Sequence, residues 1–374
     1  MKYMFILISV VGIFLTTCST EKKSLNNIIP IDLENKKEDI SFYDLFKTVD
    51  IIFLESTESC LISEVTKTIN ADSIYYIFDK KQMGVFAFNN SGAFLFKIQK
   101  IGRGPGEFIN IVDFEINEFT QSIDLLTPFG EVLKYNRESG EFISSYHLPE
   151  SVRAVHYFKN ISRDTIVFYQ MFEKNKLLFY SVKEQMIIEE QRELPYFVTR
   201  YLPGAFNWHP FQFFNGKLNL FEYFSNTIFV LEDGELHPRI SWDFGSYTFD
   251  YKSLKADMDR QYYEDYLRNN SLIQVFSTYL ENDSLIITQF FFKDSFYSLI
   301  FFKENGEYIV FDTFKEGIKF PTYPLFDKSG LFVIAQPWYL ENLLPEEIIN
   351  SQGIGIPEGS NKETNPIILR YTLK

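Results

Sequence analysis

Residues 102–108 read Gly-Arg-Gly-Pro-Gly-Glu-Phe. Three glycines and a proline in so short a run can form a tight loop with exposed backbone amides, the chemistry of an anion cradle. No Gly-Lys-Ser/Thr follows and no helical pattern opens there, so the run is not a P-loop. The competing reading is mechanical: the glycines let the chain cross closely from one element to the next. Arg103 and Glu107 could pair with each other or face a ligand. A second stretch, Arg200–Phe211 (RYLPGAFNWHPF), is rich in aromatic and polar side chains. Arg200, Trp208 and His209 are its candidate contact residues, because Trp, Tyr and Arg give large contact area with a polar end. Tyr262, Tyr263 and Trp338 would join them in a cleft if one face carried all six. Otherwise these aromatics clamp inserted segments onto the body.

Catalytic chemistry has little to stand on. His147, His156, His209 and His237 lack HxH or HxxxH spacing, so a zinc site would need assembly from distant segments. No Gly-x-Ser-x-Gly occurs, and a hydrolase triad therefore has no anchor. Asp113 and Glu115 are candidates for calcium in a central channel, which would need several such oxygens near the axis. Their alternation equally suits two solvent-facing strand residues. No catalytic residue and no metal ligand is assigned, and calcium in the channel stays possible.

The elements that would position these residues repeat. VFAF-NNSG-AFLFKI is two apolar strands around a turn ending at Gly92. Asn, Ser and Gly suit such turns by tolerating unusual backbone angles. The phrase recurs at Gly140, Gly234 and Gly306, with spacings of 48, 94 and 72 residues. The second spacing is twice 47, and the third becomes 47 if the 25 residues Ser246–Asn270 are an insertion. A strand pair every ~47 residues predicts propeller blades. The first blade reads Glu64–Ile69, Ile74–Asp79, Val85–Asn89 and Ala93–Ile98. The sixth lacks an outer strand, which Val49–Leu54 supplies, closing the ring and removing an open edge. The expected fold is all-β: a six-bladed β-propeller of four-stranded blades, closed by the N-terminal strand joining the last blade. Two helical insertions, near 246–270 and 338–364, fall on one face. Strand directions put every B–C loop and D-to-A crossing at that end. Ile28–Leu33 is a further strand candidate, and Ser41–Lys47 a short helix with Ser41 as N-cap.

The chain has 374 residues, 41 of them Phe, and a net charge of −14. That acidity opposes non-specific nucleic-acid binding, and the aromatics favour strands. Lys2 precedes 12 apolar or small residues, Met4–Leu15, which suit a signal-peptide core and are too short to span a bilayer. Leu15-Thr16-Thr17-Cys18 resembles a bacterial lipobox, with Thr17 where Gly or Ala is usual. Residues 1–18 are read as a lipoprotein-type signal ending at a lipidated Cys18, with cleavage to an unlipidated form as the alternative. Residues 19–40 form a tether and N-terminal segment, and 41–374 the propeller. Cys60 is then the remaining thiol, too few for an internal disulfide.

Ile74–Phe108, with IYYIFD, VFAFNNSGAFL and GRGPGEF, resembles an NHL-type propeller repeat. FLES at Phe53–Ser56, FSNTIFVLEDGELHPRISWDFG at Phe224–Gly245 and NPIILRY at Asn365–Tyr371 resemble the six-bladed propeller lipoproteins of Bacteroidota (NHL/TolB-like). The resemblance covers nearly the whole mature chain and implies an outer-membrane lipid anchor, with periplasmic and surface placement both open. Function is expected to be non-enzymatic binding of a carbohydrate, peptide or envelope protein through the inserted face. The alternative is a metal-dependent hydrolase or lyase with a site in the channel.

Overall fold

A computed structural model describes residues 27–34, 36–37, 39–152, 155–195, 198, 209–255, 258–327, 330–351 and 364–374. Six four-stranded antiparallel sheets stand in a ring. With strands lettered A to D from the axis outwards, blade 1 is Lys67–Ala71, Ile74–Asp79, Gly84–Asn89 and Phe94–Ile98. Blade 2 is Asp113–Asn117, Ser122–Leu126, Glu131–Asn136 and Phe142–His147. Blade 3 is Tyr157–Asn160, Thr165–Tyr169, Asn175–Ser181 and Met186–Glu193. Blade 4 is Phe211–Phe214, Lys217–Phe221, Thr227–Glu232 and Glu235–Asp243. Blade 5 is Val275–Glu281, Leu285–Phe292, Ser295–Phe302 and Tyr308–Phe311. Blade 6 takes A, B and C from Leu325–Asp327, Gly330–Ala335 and Ile367–Leu373, and D from Phe46–Phe53.

The inner strands read as continuous apolar runs because both of their faces meet neighbouring blades. Strand B of blade 1, IYYIFD, is buried from its second residue onward. Outer strands have one wet face and alternate, as FLFKI does. The ring closes where Phe46–Phe53 pairs antiparallel with Ile367–Leu373, Val49 opposite Tyr371. A capping box starts helix α1, Phe42–Leu45, with Ser41 and Asp44 exchanging bonds. Ser41 Oγ also donates to Glu316 Oε1 at 2.5 Å. Phe42 and Phe46 then pack against Phe314 and Tyr371, sealing the closure with aromatic surface.

Two details differ from the sequence reading, and a third, the break at Pro345, refines it. The N-terminal strand Asn27–Pro30 is a fifth strand of blade 4, parallel to Glu235–Asp243. Ile31, just after it, is buried against the core. Among the described residues the first insertion is α-helical at α2, Arg260–Asn269, which Asp259 caps; two 3₁₀ turns precede it, the second capped by Asp250, in place of one long helix. In the second, Pro345 divides the segment into a 3₁₀ turn, Pro337–Asn342, and α3, Glu346–Ser351, since proline cannot donate within a helix.

Blades are joined at two radii. At the rim, a glycine hairpin abuts the preceding blade's outer strand. Gly92 stands at φ +85°, and a Cβ there would lie 2.1 Å from Phe53 O. A Cβ on Gly140 would lie 2.5 Å from the Phe96 ring of blade 1. Deeper in, buried ion pairs bridge neighbours: Arg192 of blade 3 holds Glu222 of blade 4 at 2.5 Å, and Arg239 of blade 4 holds Glu281 of blade 5 at 2.5 Å.

Candidate binding site

The A strands converge on the axis around two adjoining cavities of about 220 and 340 Å³. All six blades contribute to the lining of the larger. The smaller opens toward the end that carries the D-to-A crossings, where Val65, Thr66, His209, Thr322 and Tyr323 line it. We call this the crossing end.

An arc of four charges runs across blades 1 to 3 inside the channel. Lys67 Nζ donates to Asp113 Oδ1 at 2.8 Å, to Glu115 Oε1 at 2.6 Å and to the Phe114 carbonyl at 2.7 Å. Lys159 Nζ donates to Glu115 Oε2 at 2.5 Å, and the Phe158 amide donates to Asp113 Oδ2 at 3.1 Å. Burial alone would discharge such groups. Burial pushes the Glu115 carboxyl up, but Lys159 and Lys67 outweigh it and hold it below its ordinary value. Burial likewise draws the Lys67 ammonium down, and Asp113 and Glu115 more than restore it. Asp113 shares its one ammonium with Glu115, so burial wins and pushes its carboxyl up to about 6. Burial and the nearby Lys67 and Lys159 hold the His209 imidazole well below its usual range.

Asp113 and Glu115 are therefore not solvent-facing: they are 2% and 5% exposed, and Lys67 and Lys159 pair with their carboxylates. Among the described residues no group of three or more His, Cys, Asp or Glu side chains is placed to hold a metal ion.

Of the sequence-predicted site residues, His209 lines the channel, where its ring meets Tyr157 edge-on at 5.4 Å. Glu107 does not pair with Arg103 in any described contact. Its carboxylate instead accepts the Gly104 amide at 2.8 Å and ties its own loop. Tyr135 OH anchors that loop by donating to the Gly106 carbonyl at 2.7 Å, and a Cβ on Gly106 would strike Phe142. The glycine-rich run is thus a close crossing. Arg103 is exposed beside it. Tyr263 is buried in the core beneath the insertion, whereas Tyr262 is 43% and Trp338 48% exposed. Arg200 and Trp208 lie outside the described residues. So do Cys18 and the signal segment.

The crossing end carries a surface of its own. Ile101 and Ile109 stand on the crossing from blade 1 to blade 2, and Phe129 and Phe172 on the B–C loops of blades 2 and 3. All four are more than half exposed. Exposed Lys80, Lys81, Lys100 and Arg103 lie on the same end of blade 1 and its crossing, against a net charge of −14. At the opposite end the described A–B turns show Phe119, 39% exposed.

Sequence reasoning missed Lys67, Lys159, Gln212, Ser277 and Tyr323. One signal was available: Lys67 and Asp113 are opposite charges 46 residues apart, and Glu115 and Lys159 are 44 apart, each close to one blade repeat.

No curated protein matches this chain in sequence. Among solved structures, a Bacteroides fragilis protein inferred to be exported is similar, with a TM-score of 0.72 at 16% identity, covering 93% of this chain and 100% of that one. A DUF4221 family member from Bacteroides vulgatus is similar at a TM-score of 0.56 and 11% identity, covering 88% of this chain and 98% of that one. At such identities the likeness concerns the fold. A family profile matches residues 26–372, so the chain belongs to the family described as Domain of unknown function DUF4934.

Proposed function

We propose that this chain is an exported binding module, with no catalysis of its own, that engages its partner through the crossing end. One observation carries the reading: Ile101, Ile109, Phe129 and Phe172 hold large apolar side chains in water on consecutive blades of that end. Large exposed apolar side chains gathered on one end of a fold point to an interaction site. Lys80, Lys81, Lys100 and Arg103 give blade 1 and its crossing a local basic patch that favours a partner with acidic groups. The exported relative supports an extracytoplasmic location. The lipobox-like Cys18 supports a lipid anchor in the outer membrane, and the run Ile74–Phe108, ending in GRGPGEF, supports kinship with NHL-type propellers. A carbohydrate, peptide or envelope protein remains the partner class.

The rival, a channel metalloenzyme, would need carboxylates free of the lysines that hold Asp113 and Glu115. Stoichiometric calcium or zinc in the purified protein would revive it. The binding reading is tested by Phe129→Ser/Phe172→Ser, with Phe119→Ser as control, in chemically cross-linked envelopes. Loss of adducts in the double variant alone is expected. Equal adduct yields in all three proteins would contradict the proposal.

A further inference from the structure

The axial cavities have three features that neither the propeller frame nor the ion pairs use. The first is a set of polar atoms without a hydrogen-bond partner: Thr68 Oγ1, Asn70 Nδ2, Gln212 Oε1, Ser277 Oγ and His209 Nδ1. All five residues line the cavities, and they come from blades 1, 4 and 5. A buried donor or acceptor left unmade costs more than an ordinary hydrogen bond contributes. Five such atoms lie around one space.

The second feature is a β-bulge. Pairing between strands A and B of blade 5 skips from Phe276 to Thr278, leaving Ser277 as the extra residue. A bulge re-aims a side chain, and such irregularities gather next to functional sites. Ser277 is 5% exposed. The third is strain. Tyr323 sits at φ +54° directly before Pro324. A bulky residue rarely adopts that region, and a following proline pushes it further toward extended backbone. Strain that the surroundings maintain is concentrated at ligand sites.

Charge narrows the ligand. Lys67, Lys159, Asp113 and Glu115 neutralise one another, so neither an anion nor a cation finds an uncompensated partner. His209 is held neutral by its burial and the two ammonium groups. The unmet groups are two hydroxyls, an amide donor, an amide acceptor and a ring nitrogen. Tyr157, Phe211, Phe213 and Tyr279 set aromatic rings around the same space. A sugar ring matches this lining: its hydroxyls both donate and accept, and its C–H faces lie on aromatic surface.

We propose that the channel mouth binds a neutral carbohydrate ring through Thr68, Gln212, Ser277 and His209, with Tyr323 held in its strained turn to complete the wall. This rests on the crossing end being the binding end, and narrows that reading to a ligand class for the opening at its centre.

The test uses the purified chain and a fixed panel: glucose, galactose, mannose, xylose, their common disaccharides, and the charged counterparts glucuronate and glucosamine. Binding is followed by calorimetry and Tm. At least one neutral sugar is expected to bind and raise Tm. Ser277→Ala and Gln212→Leu are each expected to weaken it at least tenfold, with unchanged circular dichroism. Tyr323→Gly should weaken binding while keeping or raising Tm, because glycine relieves the backbone. A Tyr323→Gly protein of lower Tm and undiminished affinity would overturn the role of that turn. Preference for the charged sugars would overturn the neutral class. Absence of binding across the panel would overturn the proposal as a whole, and photo-cross-links from Phe129 would then still uphold the crossing end as a partner surface.

Discussion

The backbone amide of Glu55 donates to the carbonyl of Gly92 at 2.8 Å, across the joint between the closing blade and blade 1. The glycine hairpin is therefore a contact between blades as well as a turn within one. Ile52 and Phe53 occupy the space where a Gly92 side chain would stand.

Gly92→Ala is accordingly expected to cost roughly 2–4 kcal/mol, combining a left-handed backbone angle with a steric clash against main chain. Gly306 has a similar φ of +74° but nothing within 4 Å of an added Cβ, so Gly306→Ala should cost only about 1 kcal/mol. Urea unfolding of the two variants checks this. Equal losses would show that the hairpin carries no load between blades.

Glu222 is fully buried and held by Arg192, whose own side chain is 11% exposed. Tyr169 OH also donates to it, at 3.3 Å. Removing the carboxylate leaves a guanidinium in the blade 3–4 seam without its counter-charge. Glu222→Ala should therefore cost roughly 3–5 kcal/mol, and Arg192→Met/Glu222→Leu should recover most of it. Unfolding free energies of both variants provide the comparison.

Asp113 yields a pH prediction. Its carboxyl stands at about 6 in the folded chain against an ordinary 3.8. The folded state thus binds more protons than the unfolded state between those values, and this group's contribution to stability falls as pH rises from about 4 through 6. Asn carries no such penalty. Asp113→Asn measured against the parent should gain on the order of 1 kcal/mol between pH 5 and pH 8. A pH-independent difference in Tm would contradict the assignment. Glu115 acts in the opposite sense: its carboxyl is held low, and its contribution is lost only as pH falls below the ordinary carboxylate range.

The frame was legible in the sequence because it repeats. Apolar strand pairs around Gly92, Gly140, Gly234 and Gly306 set the blade period, and the missing outer strand of blade 6 pointed to the N-terminus, where Phe46–Phe53 supplies it. The parallel strand Asn27–Pro30 was found as a strand, but its partner was not, because four residues carry no register information across more than 200 positions. The site was less legible for a physical reason. Its residues belong to different A strands and meet only at the axis, and what distinguishes Ser277 and Tyr323 is a bulge and a backbone angle. Neither has a composition signature. Tyr262 and Tyr263 show the limit from the other side: they are adjacent in sequence, yet one is 43% exposed and the other 4%.

The most direct measurement is site-specific photo-cross-linking in intact envelopes. A photoreactive phenylalanine analogue would replace Phe129 or Phe172 at the crossing end and, as control, Phe119 at the opposite end. The account predicts a discrete adduct from both crossing-end positions and none from Phe119. Adducts from Phe119 alone, or the same adducts from all three positions, would contradict it.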